Sequence, residues 1–295
     1  MRLFSIILLL FFAPHVLAED WKPLYERVDP DLQRSLEERL ALNPEWARLI
    51  GRKKMAIGLV DLSSDPPRFA RVNGNQMMYA ASLPKIAILL AAYVSFEDGS
   101  LEETAEVHED LSNMIRVSSN AAATRLIDRV GMKKIQAVLK DPQYGFYDEK
   151  RGGGLWVGKR YASAGPRVGD PMHGISHGAT ATQVCRFFYL LSAGRLINAE
   201  RSAMMLEDLV DPRLHHKFVS QVEERAPNAW LCRKSGTWKQ WHSDAILVQG
   251  TLWRDYILVG LVESPNGETI LRQVLPAVEE LIVPPEYADG IDDAR

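Results

Sequence analysis

Cysteine is scarce in this chain of 295 residues: there are two, Cys185 and Cys232. A chain this long can bury a core without a covalent staple. One disulfide and two buried thiols therefore both stay open, because separation in sequence does not fix the distance between Cα atoms. Runs of like charge are missing as well. The formal net charge is -3 with Lys and Arg scattered, which leaves no electrostatic footprint for nucleic acid and points to a small or neutral substrate. Internal repeats, low-complexity tracts and long linkers are lacking. With 46% hydrophobic and 25% charged residues, the composition is that of an ordered globular protein with one large domain or two interleaved ones.

The first eighteen residues, MRLFSIILLLFFAPHVLA, have a basic start at Arg2, an apolar stretch from Leu3 to Phe12, and short side chains at Val16 and Ala18. About ten apolar residues are too few to span a bilayer, which takes about twenty, so the segment reads as a secretory signal peptide cleaved after Ala18. No cysteine stands directly after the cleavage point, so a lipoprotein is not indicated. The expected product is secreted or periplasmic, with no stable membrane anchor after cleavage.

Periodicity orders the rest. Asp29 followed by Pro30 marks a helix start, and Leu32, Leu36 and Leu40 recur on one face until Pro44. The runs KMAIGLVDL and RFARVN, separated by SSDPP, predict adjacent strands. From Ser82 to about Gly194 the pattern is helical, clearest in SNAAATRLIDRVG and ATQVCRFFYLLSAG, with a Gly-rich loop over roughly 141–178 between them and a further helical stretch near 197–210. Strands return in WLCRKSGTW, DAILVQGTLW and DYILVGLVES, and ETILRQVLPAVEELI closes as a helix. The expected fold is α/β (α+β): one antiparallel sheet built from both chain ends and flanked by helices, with an inserted helical subdomain. The expected division is 19–81 with 205–295 for the sheet part and 82–204 for the helical part.

The run ASLPKIAILLAAY (81–93) is almost wholly apolar, so its polar members need a reason. Ser82 and Lys85, at i and i+3 in the first turn of a helix, would share a face and bring amine to hydroxyl. A lysine desolvated by burial has a lowered pKa and can take a serine's proton, and a helix N-terminus stabilises developing negative charge. Further on, Ser118 and Asn120 stand at a helix start in VSSNAAATRLI, and Lys234, Ser235, Gly236 and Thr237 stand on a predicted strand.

These three pieces, in this order, resemble the S-x-x-K, S-D-N and K-T-G set of class A β-lactamases and penicillin-binding proteins. The likeness extends through YAASLPK and YILVGLVES and covers roughly residues 30–285. It implies the β-lactamase and transpeptidase-like fold and an exported serine hydrolase that cleaves an amide, such as a β-lactam ring, through an acyl-enzyme on Ser82. Lys85 would be the base, and Ser118 would relay a proton to the leaving nitrogen. Asn120 would hold the substrate amide, Lys234 would place positive charge near Ser118, and Ser235 and Thr237 would receive a carboxylate. The backbone N–H groups of Ser82 and Thr237 would form the oxyanion hole, and Gly236 would let the substrate lie close to the strand. No cofactor or metal is implied; the partner is a small β-lactam or peptide substrate.

The departures from the pattern are as informative. Ser119 stands where the family has aspartate, and Ser235 where it has threonine. The segment between Ser82 and Ser118 is short, which predicts a more open cleft. The loop that carries a water-activating glutamate in class A enzymes has no Asp or Glu between Lys150 and Asp170. Asp148, Glu149 and Asp170 are displaced carboxylates near it. His173 and His177 lie close enough to act as bases, or simply to hold backbone carbonyls, and their spacing alone is a poor zinc signature. Trp238, Trp241 and His242 either line the cleft or pack on the sheet. A D,D-peptidase or amidase acting on peptidoglycan-like peptides, and a slow acyl-trapping penicillin-binding or sensor protein, follow from the missing glutamate.

Overall fold

The computed structural model describes residues 21–290. The expected signal peptide and the cleavage point after Ala18 lie outside the described residues. Asp29 caps α1 (Pro30–Ala41), its carboxylate accepting the Leu32 N–H at 2.7 Å, with Pro30 at the position where a missing N–H is harmless. Leu32, Leu36 and Leu40 are its buried face. Pro44 does more than end a helix: it opens α2 (Pro44–Gly51) beneath an Asn43 cap.

The strands β1 (Met55–Asp61) and β2 (Arg68–Val72) pair antiparallel, with Asp61 opposite Arg68. After β3 (Met78–Tyr79) come α3 (Lys85–Glu97), α4 (Ala105–Arg116), α5 (Asn120–Val130) and α6 (Met132–Lys140). The long loop contains β4 (Tyr147–Asp148), β5 (Gly153–Gly154), β6 (Trp156–Val157) and β7 (His177–Ala179), and β3, β7 and β6 form a small sheet. Next are α7 (Ala181–Ser192), α8 (Ala199–Leu209), α9 (Phe218–Arg225), β8 (Trp230–Trp238), β9 (Trp241–Gln249), β10 (Asp255–Glu263) and α10 (Gly267–Glu279). β9 starts earlier than its apolar run because Trp241, His242 and Ser243 pair back onto Trp238, Thr237 and Gly236 across a two-residue turn.

The main sheet runs β2-β1-β10-β9-β8, every pair antiparallel, so both chain ends build it as the sequence leads one to expect. Its two faces follow the two-residue side-chain period. Ala56 and Val60 of β1 join the core under α3, α5 and α7, while Met55, Ile57 and Leu59 join the core under α1, α2, α9 and α10. α7 lies directly on β1. A Cβ at Gly58 would come within 2.6 Å of Cys185 Sγ, so glycine there sets how close the helix approaches. The two cysteines are separate buried thiols, pushed well up in pKa by burial, and Cys232 Sγ donates to Leu206 O at 3.3 Å.

Candidate active site

Ser82 sits in a turn just ahead of α3 rather than inside its first turn. Ala81 takes a left-handed backbone (φ 51°), and bonds from Leu83 N–H to Ala80 O (3.0 Å) and from Lys85 N–H to Ser82 O (3.2 Å) wind the chain into the helix. Two contacts seat this turn on the sheet. Ser243 Oγ donates to Ala80 O at 2.7 Å, and Gly236 lies so near that a Cβ would stand 2.3 Å from Ala80 O and 2.6 Å from Ser82 N. The protein's own backbone thus requires glycine at 236, apart from any room it leaves for substrate.

Lys85 and Lys234, both fully buried, converge on Ser118. Lys85 Nζ donates to Ser118 O (2.6 Å) and Asn120 Oδ1 (2.8 Å) and lies 3.3 Å from Ser118 Oγ; Lys234 Nζ donates to Ser118 Oγ at 2.9 Å and to Ser235 O at 2.7 Å. Neither amine bonds the Ser82 hydroxyl. Ser82 precedes α3, but the i→i+3 bond from Lys85 N–H to Ser82 O keeps the two residues one turn apart at the start of the helix. Burial lowers Lys85 to about 7. Lys234 is driven well below its ordinary value by burial, with the charges of Lys85 and Arg233 adding to it. Ser118 is itself left-handed (φ 57°). The helix cap falls to Ser119, whose hydroxyl accepts the Ala122 N–H, which leaves Ser118 and the exposed Asn120 free of that duty.

On β8, Lys234, Ser235, Gly236 and Thr237 face Ala245, Asp244, Ser243 and His242 of β9. Ser235 is buried and Thr237 exposed. No motif points to Lys217, yet its buried amine donates to Gly236 O (2.7 Å), Thr237 Oγ1 (2.9 Å) and Ser243 O (3.0 Å), and burial lowers it to about 8. The buried pair Arg233–Asp244 (2.7 and 3.0 Å) fixes the strand next to Lys234, and Arg233 also donates to Leu214 O and His216 O. The same carboxylate accepts the Phe218 N–H at 3.1 Å, which holds the segment bearing Lys217 in place. Lys85, Lys217 and Lys234 are all bonded to carbonyl, hydroxyl or amide oxygens and none to a carboxylate. Lys217, lowered only to about 8, stays mostly charged at neutral pH and brings a positive group to this end of the strand.

The long loop places its candidate groups elsewhere. Asp170 is spent as an anchor: Tyr147 Oη and the N–H groups of Met172, His173 and Ile175 all donate to it. Burial works to raise this carboxyl, but those bonds outweigh it and hold it low. Asp148 caps Lys150 N–H, while Glu149 and His173 are exposed, and no hydrogen bond or ion pair joins any of them to Ser82, Lys85 or Ser118. His177 is buried, lowered to about 4 by burial, with Nε2 3.0 Å from Lys159 O. Tyr161, from the stretch without acids, puts its ring over Lys85 Nζ at 4.6 Å and donates from its hydroxyl to Ala81 O at 3.2 Å. Trp241 packs edge-on to Tyr79 at 5.4 Å, whereas Trp238 is exposed at the strand end. The His242 ring lies against Gly267.

This sheet flanked by helices is the β-lactamase class A fold. The chain belongs to the Beta-lactamase enzyme family, whose model matches residues 103–282. Among solved structures it is similar to a β-lactamase from Sphaerobacter thermophilus, with 16% identity over 84% of this chain and 95% of that one and a TM-score of 0.63. It is also similar to PBP-A, with 17% identity over 88% and 97% and a TM-score of 0.62. A third likeness is to the class A β-lactamase of the last common ancestor of Gram-negative bacteria, with 16% identity over 83% and 98% and a TM-score of 0.62. At such identities the likeness is one of fold. No curated protein matches in sequence. Among the described residues no helix is long and apolar enough to cross a membrane.

Proposed function

We propose that the protein is an exported serine hydrolase that opens an amide, a β-lactam ring in the first instance, by acylating Ser82. The observation that carries this reading is the convergence of Lys85 and Lys234 on Ser118 beside the Ser82 turn. With Lys85 lowered to about 7, part of the population at neutral pH holds an unprotonated amine able to accept the Ser82 proton as Oγ attacks the carbonyl. The Ser82 N–H stands beside Gly236 on β8, and in this reading it and the Thr237 N–H donate to the oxyanion. The C–N bond then breaks, and Ser118, bonded by Lys234, passes a proton to the leaving nitrogen. The Lys217 ammonium bonded to Thr237 favours a substrate bearing a carboxylate, received by Ser235 and Thr237, with Asn120 holding the amide side chain. No metal or cofactor enters this scheme.

A second reading on the same machinery is a D,D-peptidase or amidase, or a slow acyl-trapping penicillin binder. It is favoured by the loop, which offers Lys85 a tyrosine ring where class A enzymes carry a water-activating carboxylate. It also accords with PBP-A, a mutant of which has been solved as an acyl-enzyme complex with penicillin G. Mass spectrometry of the protein mixed with excess penicillin tests both readings. Acylation predicts a burst near one equivalent and the mass of the intact drug on the Ser82 peptide, and no adduct on Ser82→Ala. An adduct that survives Ser82→Ala sinks the nucleophile assignment. Sustained fast turnover without an adduct favours the first reading, and release of D-alanine from a model peptide favours the second.

A further inference from the structure

If Lys85 is the base, as the preceding reading has it, its protonation must be set by what surrounds it, and one side chain outside every motif stands against it. The Tyr161 ring centroid lies 4.6 Å from Lys85 Nζ, and its hydroxyl is bonded to the carbonyl of Ala81, the residue before Ser82. The ring is backed by His177 at 4.3 Å, itself fixed to Lys159 O. A single residue of the long loop thus touches both the amine and the nucleophile turn.

We propose that Tyr161 is a positioning residue that keeps water from Lys85 while tying the loop to the Ser82 turn. The physical reason lies in what an ammonium loses and gains there. A ring face attracts a cation, but more weakly than the hydration shell it displaces, so a site closed by a ring favours the neutral amine. The other groups facing Lys85 do not reverse this. Ser118 comes from the α4–α5 connection, Asn120 from the first position of α5, Lys234 from β8 and His177 from β7, and none brings negative charge. The Tyr161 hydroxyl remains a donor, since burial raises it well above its ordinary value.

The test is an NMR titration of the purified protein with labelled lysine side chains, the Lys85 signal being assigned by its loss in Lys85→Met. Wild type should titrate near 7. Tyr161→Ala, which admits water, should move Lys85 up by about one unit or more. Tyr161→Leu, which is equally dry but has no π face, should leave it low. If Tyr161→Ala does not fold, Tyr161→Gln carries a polar group into the same space and should raise Lys85 likewise. A Lys85 titration unmoved by either polar or small replacement overturns the proposal. This readout needs no substrate, so a wild type that fails to react with penicillin sinks the hydrolase reading and leaves the titration to decide on Tyr161. If wild type reacts and the alkaline-going limb of its acylation profile is unmoved in Tyr161→Ala, the proposal alone fails.

Discussion

Lys217 and Thr237 are joined by a 2.9 Å hydrogen bond in which the ammonium has only donors to offer. The Thr237 hydroxyl must accept from it, so its own hydrogen is left for a partner in the cleft. Lys217→Met should weaken capture of substrates bearing a carboxylate about tenfold or more, with a smaller loss for matched neutral esters, and should also destabilise the fold. Ser243 O loses its lysine donor and Gly236 O keeps only the longer bond from Ser243 Oγ (3.4 Å), at about 1–3 kcal/mol for a carbonyl left unsatisfied. Kinetics on paired substrates together with urea unfolding checks both parts. Equal losses on the two substrates would make Lys217 purely structural.

Stability should depend on pH through the buried lysines. Lys85 is lowered to about 7 and Lys217 to about 8, so above those values the folded chain binds fewer protons than the unfolded one. Unfolding free energy therefore rises with pH from about 7 towards the ordinary lysine range, and the penalty is full below pH 7. Lys85→Met should flatten this slope in denaturant titrations. A wild-type curve that falls over the same window contradicts the depressed values.

Tyr161→Glu would bring a carboxylate to the loop position that now presents a ring to Lys85. Since general-base assistance is typically worth about 10² to 10⁴ in rate, the penicillin adduct should clear at least about a hundredfold faster than in wild type. Adduct lifetimes by mass spectrometry decide it. An unchanged lifetime means that water does not approach the ester past this residue.

The buried pair behind the strand gives a stability prediction. Arg233→Met leaves the Asp244 carboxylate enclosed with only the Phe218 N–H, and should cost about 3–5 kcal/mol. Adding Asp244→Leu should recover a large part of that loss, because two apolar side chains leave no enclosed charge. Calorimetry of the single and double variants measures the coupling, and simple additivity of the two losses would contradict it.

Much of the site is legible in the sequence because its groups sit in short local patterns. Ser82 with Lys85, Ser118 with Asn120, and the four residues from Lys234 to Thr237 each span a few positions, and Asp29 before Pro30 announces α1, whereas Asn43 before Pro44 reads only as a helix end. Tyr161 and Lys217 are different. Each is one residue in an irregular stretch, brought to its partners by contacts far away in sequence, and no periodicity or motif marks it. The same holds for β3, β6 and β7, which are too short to show a two-residue alternation. The start of α3 is less legible: Ser82 stands in a turn ahead of the helix, joined to it by the bond from Lys85 N–H to Ser82 O. The bonds of the Lys85 amine to Ser118 and Asn120 join residues over thirty positions apart, which no local pattern shows.

The central strand pair joins residues about two hundred positions apart, Met55 against Val262 and Asp61 against Tyr256. The Ser82 turn rests on Gly236 and Ser243, which belong to the last third of the chain. A nascent or truncated polypeptide lacking β8 to β10 thus has the serine and its lysine but nothing to hold them in register. Loop-closure entropy must be overcome before these distant contacts return any free energy, so folding of this topology is expected to be slow and activity to appear all at once. On the proposed reading, reactivity is then a late event in the life of the molecule, since the turn that bears Ser82 has its seat only once the carboxy-terminal strands dock.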